Sequence, residues 1–101
     1  MAVKCRESGR CLHAAISGEL DHHHARKVME ELERQIDIVL PHSLELDLGE
    51  LTFTDSSGIA VLLRAFRRMG QLGGRITVCG TPEQARRVFY AAGLQKLMKF
   101  E

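Results

Sequence analysis

The apolar residues of this chain change period along its length, and that alternation restricts the fold more than any other feature. Leu44, Leu46 and Leu48 recur at every second residue with Glu45 and Asp47 between them, the period of a strand with one covered face. Ala25, Val28, Met29, Leu32 and Ile36 recur at steps of three and four, one face of an amphipathic helix. The chain switches between these two periods from end to end.

Residues 3–6 and 12–16 read as two short strands around the turn Glu7-Ser8-Gly9-Arg10, a hairpin. Ser17-Gly18-Glu19-Leu20 leads into Asp21, expected as the N-cap of the first helix. Pro41 closes the approach to the strand at 44–48. Residues 51–58 read as a polar turn that opens a second helix. Ile59, Leu62, Leu63, Phe66 and Met69 share one face of that helix, and Arg64, Arg67 and Arg68 fall on another. Gly70, Gly73 and Gly74 end it, and a strand follows at 76–79. Thr81 is expected to cap a third helix with Pro82 at its first position and Glu83 in its first turn. Gly93 stops that helix, and residues 97–100 supply a short last strand.

The resulting order is β-β-α-β-α-β-α-β. It predicts an α/β chain with a mixed central sheet of four to five strands, parallel in its centre with an antiparallel hairpin at one end. The alternation at 44–48 predicts one open sheet face, with the helices packed mainly on the other. A length of 101 residues allows one domain, spanning 1–101.

Composition then narrows the function. Apolar residues at 45% and charged residues at 27% predict a globular chain. A formal net charge of +1 argues against general attraction to nucleic acid or to an anionic membrane. No stretch approaches the ~18 apolar residues of a membrane helix, and the N-terminus shows no signal-peptide pattern. The expected setting is the cytoplasm. There Cys5, Cys11 and Cys79, odd in number and irregular in spacing, read as plain thiols that fill structure.

Chemistry concentrates at Asp55-Ser56-Ser57-Gly58, at the mouth of the second helix. Two hydroxyls sit where backbone N–H groups lack helical partners. A phosphate there meets those N–H groups and the helix dipole, and adds almost two negative charges to the surface. The residues by themselves favour the plainer reading, a helix cap. His22-His23-His24 is not read as a metal site, because adjacent helical residues point about 100° apart and no second ligand cluster accompanies them. No G-x-S-x-G elbow and no phosphate loop occurs. No catalytic residue, metal or cofactor is expected. The arginine stripe reads as a solvated face, with an acidic partner surface as its functional alternative.

The segments 18–23 (G-E-L-D-H-H), 51–63 (L-T-F-T-D-S-S-G-I-A-V-L-L) and 73–79 (G-G-R-I-T-V-C) together resemble the STAS-domain anti-sigma factor antagonists, in the family's order and spacing. The resemblance implies a switch that spacing alone does not. The serine after the aspartate, here Ser56, is phosphorylated by the anti-sigma factor, a serine kinase that brings its own ATP and magnesium. The unmodified antagonist binds that kinase and frees its sigma factor, the phosphorylated form releases, and a serine phosphatase restores it. Asp21 is implied in partner binding, Asp55 in orienting the Ser56 hydroxyl or holding the loop, and Ser57 in capping the helix; Gly58 completes the partner-binding set. A non-enzymatic monomer without direct nucleic-acid or membrane contact is expected. A STAS scaffold in a stress-signalling complex and a weak nucleotide-binding STAS domain stand as alternatives.

Overall fold

A computed structural model of the chain describes residues 2–101. Strand β1 (Ala2–Ser8) turns through Gly9 into β2 (Cys11–Leu20), and helix α1 (Ala25–Val39) follows. Strands β3 (Ser43–Asp47) and β4 (Leu51–Thr54) precede α2 (Ser56–Gln71). Then come β5 (Arg75–Cys79), α3 (Glu83–Ala91), a 3₁₀ turn (Leu94–Lys96) and β6 (Lys99–Phe100).

The α/β class and the mixed sheet agree with the sequence. The sheet has six strands rather than four to five, and the order gains one strand between β3 and α2. Its main path runs β1-β2-β3-β5-β6. Only β1 and β2 are antiparallel along that path; β2-β3, β3-β5 and β5-β6 are parallel. The unexpected strand is β4, in the segment read as a polar turn. It pairs in parallel with the far end of β2, Gly18 beside Leu51 and Leu20 beside Thr54. Strand β2 is ten residues long, enough to serve β3 with its first half and β4 with its second.

Alternation along the central strands decides which face the helices cover. Leu12, Ala14 and Ile16 on β2, Leu44 and Leu46 on β3, and Ile76 and Val78 on β5 are all buried. They meet Val28, Leu32 and Ile36 of α1 and Val61, Leu62 and Met69 of α2, in one core. The intervening residues Cys11, His13, Ala15, Glu45 and Thr77 are half-buried, as expected for a face without a helix layer. On that face burial, with the charges of Asp47, Glu45 and Glu101, pushes the Cys79 thiol up. Cys5 points the other way, opposite buried Ala14. Burial pushes its thiol up as well, with Glu31 adding to the effect and Arg34 opposing it.

Two caps differ from expectation. The residue flanking α1 is His24, not Asp21, so the helix begins one turn later than its acidic signal. The residue flanking α3 is Pro82; Thr81 precedes it, and its hydroxyl is buried without a hydrogen-bond partner among the described residues. No helix among the described residues is long and apolar enough to cross a membrane.

Leu46 is fully buried on the strand between β2 and β5. Leu46→Ala removes its transfer free energy and leaves a cavity, and is expected to destabilise the chain by ~2–5 kcal/mol. Urea unfolding checks this: the midpoint falls while the slope stays unchanged.

Candidate functional site

The site forms where two parallel strands end side by side. Strand β2 runs out at Leu20 and β4 at Thr54, and these two residues are register partners. Asp21 and Asp55 follow them into the same corner. The junction is tied by Thr54, whose hydroxyl is buried 2.9 Å from the Leu20 carbonyl oxygen and 3.0 Å from that of Asp55. Gln84 of α3 holds the other edge of β4. Its side-chain oxygen accepts from the Thr54 N–H at 3.0 Å, and its amide donates to the Thr54 carbonyl at 2.8 Å. One side chain thus replaces both hydrogen bonds that a further strand would make at this residue. Gly58 packs from inside α2. A Cβ there would overlap the Thr54 hydroxyl and press on Leu20.

Asp55 caps α2. Its backbone is extended, and its Oδ1 accepts from the Ser57 N–H at 2.8 Å. Its Oδ2 accepts from the His22 N–H at 3.1 Å, so one carboxylate spans both loops. The cap expected of Ser57 belongs to Asp55, and Ser57 is the residue capped. Asp21 organises the turn before α1. Its Oδ1 accepts from the N–H groups of His23 and His24 at 3.0 and 3.1 Å, and contacts the His24 Nδ1 at 2.7 Å.

Both carboxylates are held in the charged form. For Asp21, desolvation favours the neutral acid, but the His24 ring and the N–H groups of His24 and His23 outweigh it. The carboxyl sits below its ordinary value. For Asp55, desolvation and the Asp21 charge act upward, but hydrogen bonds from Ser57 and the His22 N–H pull its carboxyl below the usual aspartate range.

Ser56 is the first residue of α2 and is exposed; Ser57 is half-buried and Gly58 buried. The structure therefore gathers Asp21, Asp55, Ser56 and Ser57 in one corner, with Gly58 beneath them. A cleft of about 700 Å³ opens from Ser57 along the seam between α1 and α2, lined by Met29, Glu33, Ala60 and Arg64 among others. Phe53, 41% exposed, flanks the loop on β4. Of the arginine stripe, Arg64 lies 3.3 Å from Glu33 and Arg68 pairs with Asp37, both on α1. Two of the three stripe residues are thus engaged within the fold, and Arg67 is exposed. Sequence reasoning missed Thr54 and Gln84. They lie 30 residues apart, and no local pattern joins them.

Comparison with protein families matches residues 2–101 to the STAS domain. The anti-sigma F factor antagonist of Paenibacillus polymyxa is 35% identical over 82% of this chain and 71% of its own length. This chain is a STAS-domain protein of the anti-sigma factor antagonist family. Its fold is similar to that of the antagonist SpoIIAA in its unphosphorylated form, with a TM-score of 0.84 and 25% identity over 99% of this chain and 88% of that one. It is also similar to the phosphorylated form of the Bacillus cell fate determinant SpoIIAA, with a TM-score of 0.76 and 25% identity over 99% and 91% of the two chains.

Removing the Asp55 cap leaves the Ser57 and His22 N–H groups without their acceptor. Asp55→Ala is expected to lower stability by ~0.5–2 kcal/mol. Because the folded carboxyl lies below its unfolded value of ~3.9, charge on Asp55 stabilises the fold above that pH. The benefit disappears as pH falls through the lower folded value. Stability of wild type minus Asp55→Asn, measured by urea unfolding against pH, should be flat near neutrality and shrink in that acid window. A difference that grows on acidification contradicts the assignment.

Proposed function

We propose that this STAS-domain protein works as a phosphorylation-controlled antagonist of an anti-sigma factor. In this reading the unmodified chain docks on an anti-sigma factor that is also a serine kinase, and the sigma factor is set free. Transfer of a phosphoryl group to Ser56 ends the complex, and a serine phosphatase resets it. The kinase supplies ATP and magnesium; the antagonist is substrate and ligand rather than catalyst. The same reading makes it a monomeric single-domain module of the cytoplasm.

The observation that carries this reading is the setting of Ser56: exposed at the first position of a sixteen-residue helix, beside two carboxylates. Exposure gives a kinase access without unfolding the chain. The helix N-terminus favours an added anion, but two of its N–H groups are already engaged. The Ser57 N–H is given to Asp55 Oδ1, and the Gly58 N–H to the Asp55 carbonyl. A phosphate on Ser56 therefore adds its charge to the outer surface, next to Asp21 and Asp55, where a docked partner meets it. Similarity to SpoIIAA in both the unphosphorylated and the phosphorylated form supports a scaffold that tolerates the modification.

Asp21 takes part in docking, Asp55 and Ser57 hold the loop in its docking shape, and Gly58 supports them through its close approach to Thr54. The deciding experiment is site-mapped mass spectrometry after incubation with the source cell's candidate anti-sigma kinase, ATP and magnesium. One phosphate on Ser56 is expected. A kinase active on another substrate that leaves Ser56 unmodified counts against the reading. Ser56→Ala should bind the kinase without being modified, and Ser56→Asp should bind at least ~10-fold more weakly, or 1.4 kcal/mol. Equal binding by the two variants removes the charge switch, and normal binding by Asp21→Asn removes the role of Asp21.

A further inference from the structure

The open face of the sheet carries a second group of reactive side chains, well separated in kind from the serine loop. Cys11 and His13 are two residues apart on β2, so they project from the same face. Glu45 of β3 is the register partner of His13. The Cys11 sulfur, a His13 ring nitrogen and a Glu45 oxygen all lie within 4.8 Å of one another, and all three residues are half-buried.

The His13–Glu45 separation is that of two donors around a shared centre. His13 Nδ1 stands 3.7 Å from Glu45 Oε2, too far for a hydrogen bond between them. Zinc bonds of ~2.0–2.3 Å at tetrahedral angles separate nitrogen, oxygen and sulfur donors by about 3.3–3.8 Å. The His13–Glu45 pair already has that spacing, and the Cys11 sulfur lies within 4.8 Å of both. Glu45 is also held from its other side. The Cys79 thiol of β5 approaches its Oε1 at 3.9 Å, which leaves Oε2 directed at His13. An outer partner that orients a ligating carboxylate in this way is a usual part of metal sites.

Charge fits as well. One thiolate and one carboxylate neutralise a divalent ion, and Asp47 adds negative potential at the rim. Lys4 and Arg6 of β1 oppose it from the same cleft, which has a volume of about 250 Å³. Sulfur and imidazole donors select zinc and related borderline metals over magnesium or calcium. Cys79 lies two strands over from Cys11 and four residues along in register, so it supports Glu45 and does not complete the donor set.

We propose that Cys11, His13 and Glu45 form a zinc-class divalent metal site on the open sheet face, with three protein donors and a fourth position left to water.

Cobalt(II) titration of the full chain in a reducing buffer free of chelating thiols tests the site. A thiolate-to-cobalt charge-transfer band in the near ultraviolet should grow to saturation at one equivalent and disappear when zinc is added. Cys11→Ser should abolish the band, while Cys5→Ser and Cys79→Ser retain it. His13→Gln and Glu45→Gln should each weaken binding at least ~10-fold, the effect that loss of even an outer partner has. Circular dichroism confirms that each variant is folded, and the wild-type titration decides the matter by itself. Absence of the band in wild type, its survival in Cys11→Ser, or its loss in Cys79→Ser overturns the proposal.

Discussion

The parallel pairing of Gly18–Leu20 on β2 with Leu51–Thr54 on β4 brings together two segments more than thirty residues apart, and the serine loop depends on it. With those strand ends in register, Asp21 and Asp55 leave the sheet into one corner, and α2 starts with Ser56 outward. Thr54 is the central tie. Its hydroxyl reaches both loop carbonyls, its backbone is held by Gln84, and its side chain occupies the space that a Cβ on Gly58 would need. Because burying a hydroxyl without a partner is costly, this arrangement favours the observed path of the loop backbone.

The loop backbone is consequently tied by hydrogen bonds on both sides of an exposed Ser56. Asp55 links the start of α2 to the turn before α1, and Asp21 binds that turn to itself through His23 and His24. At the start of α2 the N–H groups of Ser57 and Gly58 are both taken by Asp55, the first by its carboxylate and the second by its carbonyl. The two faces of the sheet also divide the labour. One is sealed by α1 and α2 into the core, and the other keeps polar and thiol side chains within reach of solvent.

Much of the fold was legible because its signals are local. The period-two run at 44–48 covers β3, with one buried face, and the buried Leu48 just past its end, and the three-and-four steps from Ala25 to Ile36 are the buried stripe of α1. Strand β4 was not legible. Its four residues are buried only at the ends, Leu51 and Thr54, so they carry neither period. Pairing with β2 makes them a strand. Asp21 carried a true capping signal, but its carboxylate serves the turn of His23 and His24, and the helix proper begins after it. Ser57 and Asp55 stand two residues apart in a segment rich in capping residues, and composition does not say which of them turns toward the other.

The sequence by itself determined the α/β class, the buried stripe of α1, the polar helix mouth containing Ser56, and a family likeness written in contiguous motifs. These depend on neighbours within a few residues, whose geometry the backbone period dictates. The buried face of α2 is centred on Val61, Leu62, Ala65 and Met69, with Ile59, Leu63 and Phe66, expected on it, only half-buried. Only the tertiary structure decided that Asp55 reaches His22, that Gln84 completes the edge of β4, and that Glu45 stands opposite His13. Those contacts follow from strand register and helix docking. Both are set by burial of the whole core at once, and no local stretch of sequence carries that information.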